Sequence, residues 1–279
     1  MSSSAESKPT VVIEAGRSEL HYWRDIWRCR ELFYFLAWRD ILVRYKQTAI
    51  GILWALVRPI VTIVVFSVLF GRLAKLPSGG VPYPVMVCAA MLPWQLFASA
   101  FAESGNSLVT NANLISKVYF PRLIIPASAA AGSAVDFLIS LAVLILLMMW
   151  YGVEPGWRLL AVPGFVVLAI ASAMGVGLWV AALNVKYRDF RHLIPFIVQI
   201  GFFVSPVGFS SSIVPDRWRL VYSINPMVGV IDGFRWAIVG GGPHLYLPGV
   251  ALSLVAIAVL LLGGVAFFRR TERFFADVI

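Results

Sequence analysis

Six long apolar segments constrain the fold of this 279-residue chain more than any other feature of its sequence. A helix needs about 20 mostly apolar residues to cross the hydrocarbon core of a bilayer. The candidate spans are residues 51–70, 81–102, 123–150, 159–183, 193–209 and 247–268. Charged residues make up 13% of the chain, about half of their usual share in a soluble domain. The sequence therefore predicts an all-α integral membrane protein with six transmembrane helices.

The distribution of lysine and arginine predicts the orientation of these helices. If the N-terminus is inside, the cytoplasmic segments hold 16 of the 23 basic residues and the outer segments hold 6. Short loops on the cytoplasmic side are the ones enriched in basic residues, so we expect both termini in the cytoplasm. The net charge of +9 fits attraction to an anionic inner leaflet better than binding to nucleic acid, because the basic residues lie in short segments between apolar runs.

The chain divides into a cytoplasmic N-terminal region (1–50), a six-helix transmembrane domain (51–270) and a cytoplasmic tail (271–279). Two apolar stripes at helical spacing predict amphipathic helices in the N-terminal region. The first stripe holds Leu20, Trp23, Ile26 and Trp27, and the second holds Tyr34, Phe35, Trp38, Ile41, Leu42 and Tyr45. Two interpretations fit these helices: an anchor at the membrane surface, or a gate helix that borders the cytoplasmic entrance and meets an amphiphilic substrate.

The cytoplasmic loop 103–122 is predicted to contain a short helix. Leu108, Ala112, Ile115 and Tyr119 recur at helical spacing, and Pro121 ends the run. This helix is either an ordinary connector or a docking surface for a cytosolic partner.

The outer segment 210–246 is too broken for a span and too apolar for a simple loop. Asn225 before Pro226 predicts a helix N-cap with proline at the first helical position, and Gly240 predicts the end of that helix. We expect two short re-entrant helices that dip into the outer leaflet and form either an outer gate or a capping loop. The outer-gate candidates are Asn225, Pro226, Asp232 and Arg235.

The sequence lacks the residue patterns of several chemistries. It has no G-x-x-x-x-G-K-[ST] phosphate loop, and its three histidines and two cysteines show no metal-ligand or catalytic spacing. We therefore expect no cofactor and no catalytic site in this chain. Arg58 lies inside the first span, where it would reach the interface, pair with Asp136 or meet an anionic head group.

Four motifs resemble those of one transporter family in the same order. They are WRDILVRYKQT at 38–48 with GILWA at 51–55 and Arg58-Pro59, LISKVYFPR at 114–122, NVKYRDFR at 184–191, and Asn225-Pro226-Met227 with GFRW at 233–236. Together, from about residue 30 to 240, they resemble ABC-2 type permeases that export polysaccharides such as O-antigen, capsule and teichoic acid.

The resemblance implies a homodimer in the bacterial inner membrane that works with two copies of a separate cytosolic ATPase. ATP and Mg²⁺ would be bound by that partner. The cargo would be a polysaccharide linked to a polyprenyl diphosphate, exported from the cytoplasm. Helices one and five would enclose the conduit, the loop 103–122 would carry the coupling helix, and the N-terminal amphipathic helix would be the cytoplasmic gate.

These roles select three further groups of candidate residues. The head-group and gate candidates are Trp23, Arg24, Arg28, Tyr34, Arg39, Arg44, Lys46 and Arg58. The conduit candidates are Trp54, Phe196, Phe202, Phe203 and Phe209. The candidates for coupling to the ATPase are Ser107, Leu108, Asn111, Leu114, Ile115 and Lys117.

Three alternative functions remain at this stage. An ABC-2 type exporter of a drug or a lipid would share the same architecture. An ion-coupled secondary transporter would be driven by a gradient without an ATPase, and a chain of buried acids is expected for proton coupling. A membrane enzyme acting on polyprenyl phosphates would need clustered acidic residues, which the sequence does not show.

Overall fold

The computed structural model describes residues 19–46, 51–73, 80–187, 189–240 and 245–275. Within these ranges the chain is helical and contains no β-strand. The helices are α1 (Glu19–Arg28), α2 (Arg30–Lys46), α3 (Gly51–Phe66), α4 (Tyr83–Thr110), α5 (Ala112–Lys117), α6 (Ile124–Tyr151), α7 (Val162–Lys186), α8 (Phe190–Val204), α9 (Asp216–Tyr222), α10 (Pro226–Val239) and α11 (Leu247–Thr271). Two helices, α1 and α2, lie where the two stripes predicted them.

Four helices in the described part of the chain are long and apolar enough to cross a membrane. They are α4, α6, α7 with the 3₁₀ turn before it, and α11, and they correspond to the second, third, fourth and sixth predicted spans. The first predicted span is the 16-residue α3, which continues as a π-helical turn over Ser67–Leu73. The fifth is the 15-residue α8, which covers about 22 Å at 1.5 Å per residue.

Helix α4 forms the centre of the bundle, and it packs against α6, α7 and α10 as well as α3 and α8. It continues to Thr110, although the predicted span ends at residue 102. The extension is buried: Ser104 lies against Gly177 of α7, and Gly105 lies against Ile194 of α8. The small polar residues in this stretch therefore mark close helix packing, which is why they do not form a loop. The short helix α5 covers Ala112–Lys117 alone and ends before Tyr119.

Helices α7 and α11 approach each other closely through glycines. A Cβ atom added at Gly264 would lie 2.5 Å from the carbonyl oxygen of Gly175, and one added at Gly175 would lie 2.9 Å from the backbone nitrogen of Leu261. Small residues of this kind allow the backbones of membrane helices to come into contact. The α7–α11 pair is thus held by close backbone packing and needs no polar contact face between the two helices.

The two ends of the bundle carry different elements. At one end, here called the α1–α2 end, lie α1, α2, α5 and the C-terminal end of α11, joined by contacts such as Tyr22–Glu272 and Arg39–Asn111. At the opposite end, the α9–α10 end, lie α9, α10 and the starts of α4 and α7, joined by Tyr83–Gly208 and Arg158–Gly240. Each end therefore holds one group of short helices together.

Candidate functional site

Helices α1 and α2 present an aromatic surface at the α1–α2 end. Trp23, Trp27, Tyr34, Phe35 and Trp38 are all at least half exposed. The rings of Tyr34 and Trp38 are stacked, with centroids 6.5 Å apart. On the other side of α2, Leu36 and Ala37 are buried, so this helix has one face on the bundle and one face free.

A cluster of charged groups joins α2 to two long helices. The guanidinium of Arg44 donates to Glu103 of α4 at 2.5 Å and to Asp136 of α6 at 2.6 Å. The hydroxyl of Tyr45 also donates to Asp136. Burial raises the pKa of Tyr45, and the hydrogen bond to Asp136 raises it further. The phenol therefore stays protonated at neutral pH and remains a donor.

A second polar contact ties α2 to the junction of α4 and α5. Arg39 donates to Asn111 at 2.8 Å, and the same guanidinium pairs with the neighbouring Asp40. Asn111 in turn donates from its side-chain amide to the carbonyl of Ser107 in the last turn of α4. The side chain of Asn111 therefore links α2 to the last turn of α4, where α5 begins.

A third contact joins the beginning and the end of the described chain. Tyr22 of α1 donates to the carboxylate of Glu272 at 3.0 Å, and the backbone N–H of Arg122 donates to the same carboxylate at 2.8 Å. The guanidinium of Arg269 lies over the ring of Tyr22, 4.6 Å from its centroid. Burial raises the pKa of Glu272, although these donors partly offset that effect. Burial and the neighbouring Glu272 also raise the pKa of Tyr22.

The head-group and gate candidates fall into two groups. Arg39 and Arg44 have intramolecular partners, whereas Trp23, Arg24, Arg28, Tyr34 and Lys46 are exposed. The side chain of Arg58 lies outside the described residues. Asp136, which the sequence offered as a partner for Arg58, is bound by Arg44 and Tyr45.

The ATPase-coupling candidates are likewise divided by burial. Ser107, Leu108 and Ile115 are buried within this chain, and Asn111 and Leu114 are partly covered. Lys117 is exposed, and so are Val118 and Tyr119, which follow it. Val118 and Tyr119 were not among the residues predicted to couple to the ATPase, and Tyr119 was assigned to the short helix. Their position between that helix and Pro121 was the signal that could have identified them, since tyrosine is enriched at contact surfaces.

The described conduit candidates lie on two faces of α8. Phe196 and Phe203 are exposed, together with Leu193 and Ile200. Phe202 points the other way, where its ring meets those of Phe66 and Trp94 at centroid distances of 5.6 and 6.0 Å. Phe209 is partly buried beyond the helix, and the side chain of Trp54 lies outside the described residues. Helix α8 thus carries one aromatic face inward and one apolar face outward.

The outer-gate candidates lie close together at the α9–α10 end. Asn225 accepts a hydrogen bond from the backbone N–H of Met227, and α10 ends at Val239 before Gly240, which has a φ of 64°. The predicted N-cap and the predicted helix end are therefore confirmed. Arg235 lies 3.7 Å from Asp232 and donates to the carbonyls of Pro206 at 2.8 Å and Phe209 at 3.2 Å.

This arginine supports a non-helical stretch of backbone after α8. Ser205, Pro206, Val207 and Gly208 are buried without continuing the helix. Their polar groups have partners nevertheless: Asn225 donates to the hydroxyl of Ser205 at 3.0 Å, and Tyr83 donates to the carbonyl of Gly208 at 2.5 Å. Buried irregular backbone at membrane depth is tolerated where protein groups satisfy it in this way.

Within the described ranges no three His, Cys, Asp or Glu side chains are grouped so that they could hold a metal ion. What the two ends offer chemically is charge, hydrogen bonding and aromatic surface, all of which suit binding and movement.

Comparisons with known proteins cover most of the chain. The sequence model of one family, described as ABC-2 type transporter, matches residues 31–239. An O-antigen export system permease protein RfbA from Myxococcus xanthus is 26% identical over 255 residues, which is 90% of this chain and 96% of that protein. A protein of the same name from Klebsiella pneumoniae is 25% identical, covering 86% of this chain and 92% of that protein. The polysialic acid transport protein KpsM of Escherichia coli is 24% identical, covering 84% and 91% respectively.

Proposed function

Because the chain belongs to the ABC-2 type transporter family, we propose that it is the membrane permease subunit of an ATP-driven exporter of a polysaccharide linked to a polyprenyl diphosphate. The observation that carries this proposal is the match, over nearly their whole lengths, to proteins named for O-antigen export and polysialic acid transport. The cargo moves from the cytoplasm across the inner membrane. ATP is hydrolysed by a separate subunit, since this sequence has no phosphate loop of its own.

In the proposed topology the chain crosses the membrane six times and the α1–α2 end faces the cytoplasm. Four crossings are made by the long helices. Helix α3 with its π-helical continuation makes the first. Helix α8 is short for a crossing, and the buried stretch 205–208 completes its path. The excess of basic residues at the α1–α2 end supports this orientation.

The two cysteines provide a direct test of this orientation. Cys29 is partly exposed between α1 and α2, whereas Cys88 is buried in α4. A membrane-impermeant maleimide is expected to label inside-out vesicles and to leave intact spheroplasts unlabelled. Burial raises the pKa of Cys29, so labelling is performed at about pH 8.5 to supply thiolate. Cys29→Ser is the control, and labelling of intact spheroplasts at Cys29 would place this end of the bundle outside.

Two copies of the chain are proposed to form the conduit between them. The outward apolar face of α8, with Phe196, Ile200 and Phe203, supports this proposal, as does the exposed apolar face of α3 at Ile60 and Val64. Apolar faces of this size require either lipid or protein as a neighbour. Aromatic rings at the rim of a conduit also provide flat surfaces over which sugar rings can slide without fixed registry.

The ATPase is proposed to dock on α5 and on the residues that follow it. The exposed residues of this surface are Asn113, Ser116, Lys117, Val118 and Tyr119. Binding of ATP by the partner would move α5, and the contact between Asn111 and Arg39 would pass that movement to α2. A ligand changes such an equilibrium only through different affinities for the two states; here the ATPase provides that difference.

Substrate entry is proposed at the exposed aromatic and basic surface of α1 and α2. Arg24, Arg28 and Lys46 face outward there and attract a diphosphate head group by charge. Trp23 and Tyr34 sit beside them with exposed rings suited to the membrane interface. The glycan then passes between the outward faces of α8 in the two copies of the chain.

Gene deletion tests the proposed function. Deletion is expected to abolish the surface polysaccharide and to leave polyprenyl-linked glycan inside the cell, as measured by chemical analysis of both fractions, and re-expression of the chain restores export. Unchanged surface glycan with altered drug susceptibility or lipid distribution would instead identify a drug or lipid exporter. Transport by the reconstituted chain under an ion gradient, without any ATPase, would identify a secondary transporter.

A further inference from the structure

We infer that Arg44 is a positioning residue that latches α2 to the bundle, and that it does not bind the diphosphate of the substrate. This inference rests on the proposed function, in which α2 is the gate helix at the cytoplasmic entrance. It assigns the bond between Arg44 and its two carboxylates as the contact that holds the gate closed.

The geometry of the cluster supports this role. One guanidinium bridges two helices, with Glu103 on α4 at 2.5 Å and Asp136 on α6 at 2.6 Å. A guanidinium can engage two carboxylates at once because its N–H groups form a rigid fork. Tyr45, the next residue, donates to the same Asp136. Two consecutive residues of α2 are thus fixed to the long helices at one point.

The position of Arg44 and Tyr45 near the end of α2 explains how this cluster would control the gate. Leu36 and Ala37 are buried, and a Cβ atom added at Gly132 of α6 would lie 4.0 Å from the side chain of Ile41. Arg44 and Tyr45 continue the same face toward the end of α2. Without the charged cluster, the last turn of α2 would lose its polar attachment to α4 and α6, and the helix could lift from the end that leads into α3.

The charges of the cluster argue against a role in binding the diphosphate. In the described contacts the guanidinium of Arg44 lies between two carboxylates, so a diphosphate that approached Arg44 would meet two like charges at close range. The exposed cations Arg24, Arg28 and Lys46 have no such arrangement of acids on both sides in the described contacts. The head group therefore meets these residues first, and Arg44 remains with its carboxylates until α2 moves.

The test compares variants that remove opposite sides of the same contact. Arg44→Gln and the double variant Glu103→Gln/Asp136→Asn are each expressed with the ATPase subunit. Both are expected to increase hydrogen exchange at the amides of α2 by about three- to tenfold in the purified complex, and both are expected to change surface glycan in the same direction. The triple variant should resemble Arg44→Gln alone. Arg44→Gln already removes both ion pairs, so neutralising the two acids as well removes no further contact. Arg270→Gln and Arg217→Gln, which remove exposed charges outside α2, serve as controls.

Exchanging the charges of Arg44 and Asp136 distinguishes a need for the ion pair from a need for a positive charge at position 44. Arg44→Asp with Asp136→Arg restores a cation and an anion on α2 and α6 in reverse, and it is expected to recover export lost in Arg44→Asp. A ligand for the diphosphate would not be recovered in this way.

The inference is overturned if neutralising Glu103 and Asp136 increases export while Arg44→Gln abolishes it, because the acids would then be competing with the substrate for Arg44. It is also overturned if exchange at α2 stays unchanged in both variants. If exchange increases as expected but even deletion of the gene leaves surface glycan unchanged, the latch stands and the proposed cargo is rejected.

Discussion

The carboxylate of Glu272 is partly buried, away from the water that would best stabilise its charged form. Its pKa is raised by burial, so the folded protein binds a proton at this site more readily than the unfolded chain does. The contribution of such a group to stability is greatest at low pH and is lost as pH rises through its folded-state pKa. The cost of burying the charged carboxylate therefore lowers stability at neutral pH, although the donors Tyr22 and Arg122 interact more favourably with that charged form.

The substitution Glu272→Gln should remove this pH dependence. Glutamine keeps an acceptor for the N–H of Arg122 and carries no charge. We expect the thermal midpoint of the purified wild-type protein to rise by a few degrees between pH 8 and pH 5 relative to that of Glu272→Gln. The exposed Glu31→Gln provides the matched control. A wild-type midpoint that falls relative to Glu272→Gln over this range would contradict the assignment.

A second prediction at the scale of single residues concerns Arg235. Its side chain is 8% exposed and lies beside Asp232, which is 20% exposed. Arg235→Met leaves a largely buried carboxylate without its cation, at a cost of about 3–5 kcal/mol, and removes the donor to Pro206 and Phe209. We expect Asp232→Asn with Arg235→Met to recover part of that loss in thermal unfolding. Arg217→Met, at an exposed position, should be neutral, and equal losses at 217 and 235 would reject this account.

Residue contacts could be predicted from the sequence where the chemistry is local. Asn225 and Gly240 were predicted correctly, because a helix cap depends on its immediate neighbours. Arg44 lies 59 residues from Glu103 and 92 from Asp136. Periodicity tells which face of a helix carries a residue and leaves open which other helix that face meets, so this pairing could not be predicted.

At the scale of elements, apolar length predicted the four long helices and misjudged the polar end of α4. Ser104, Gly105 and Ser107 have the composition of a loop, yet they are buried between helices. In a membrane protein, small polar residues are as characteristic of close packing as of connections. The boundary between helix and loop therefore depended on neighbours that the sequence alone did not identify.

The crossing of α7 and α11 yields a prediction at this scale. Gly264→Val places a branched side chain where an added Cβ alone would lie 2.5 Å from the oxygen of Gly175. We expect the helices to separate, with a loss of about 1–3 kcal/mol and a lower thermal midpoint in detergent. Gly164→Val, at a position of α7 with open space around it, is the control. A midpoint unchanged by Gly264→Val would show that the contact is more adaptable than its geometry indicates.

At the scale of the whole molecule, four short motifs predicted the family. They span about residues 30 to 240, and the family match covers residues 31–239. The motifs fix the order of elements along the chain. They do not fix burial, which is why Ser107, Leu108 and Ile115 were candidates for a partner surface although they lie inside this chain.

The proposed dimer gives a prediction that distinguishes two neighbouring residues of α8. Phe203 is 70% exposed, whereas Phe202 packs on Phe66 and Trp94. Phe203→Ala is expected to lower the dimer fraction, measured by cross-linking in membranes, without changing the unfolding temperature. Phe202→Ala should instead destabilise the fold by about 2–3 kcal/mol. Dimers unaffected by Phe203→Ala would place the interface on another face.

The contact between Tyr22 and Glu272 joins residues 250 positions apart in the chain. During synthesis α1 leaves the ribosome among the first helices, but its partner is made after every other helix has been translated. A nascent chain cannot complete this docking until α11 is inserted. A product truncated before this point lacks the acceptor for Tyr22, so this polar contact of α1 forms only when synthesis has passed α11.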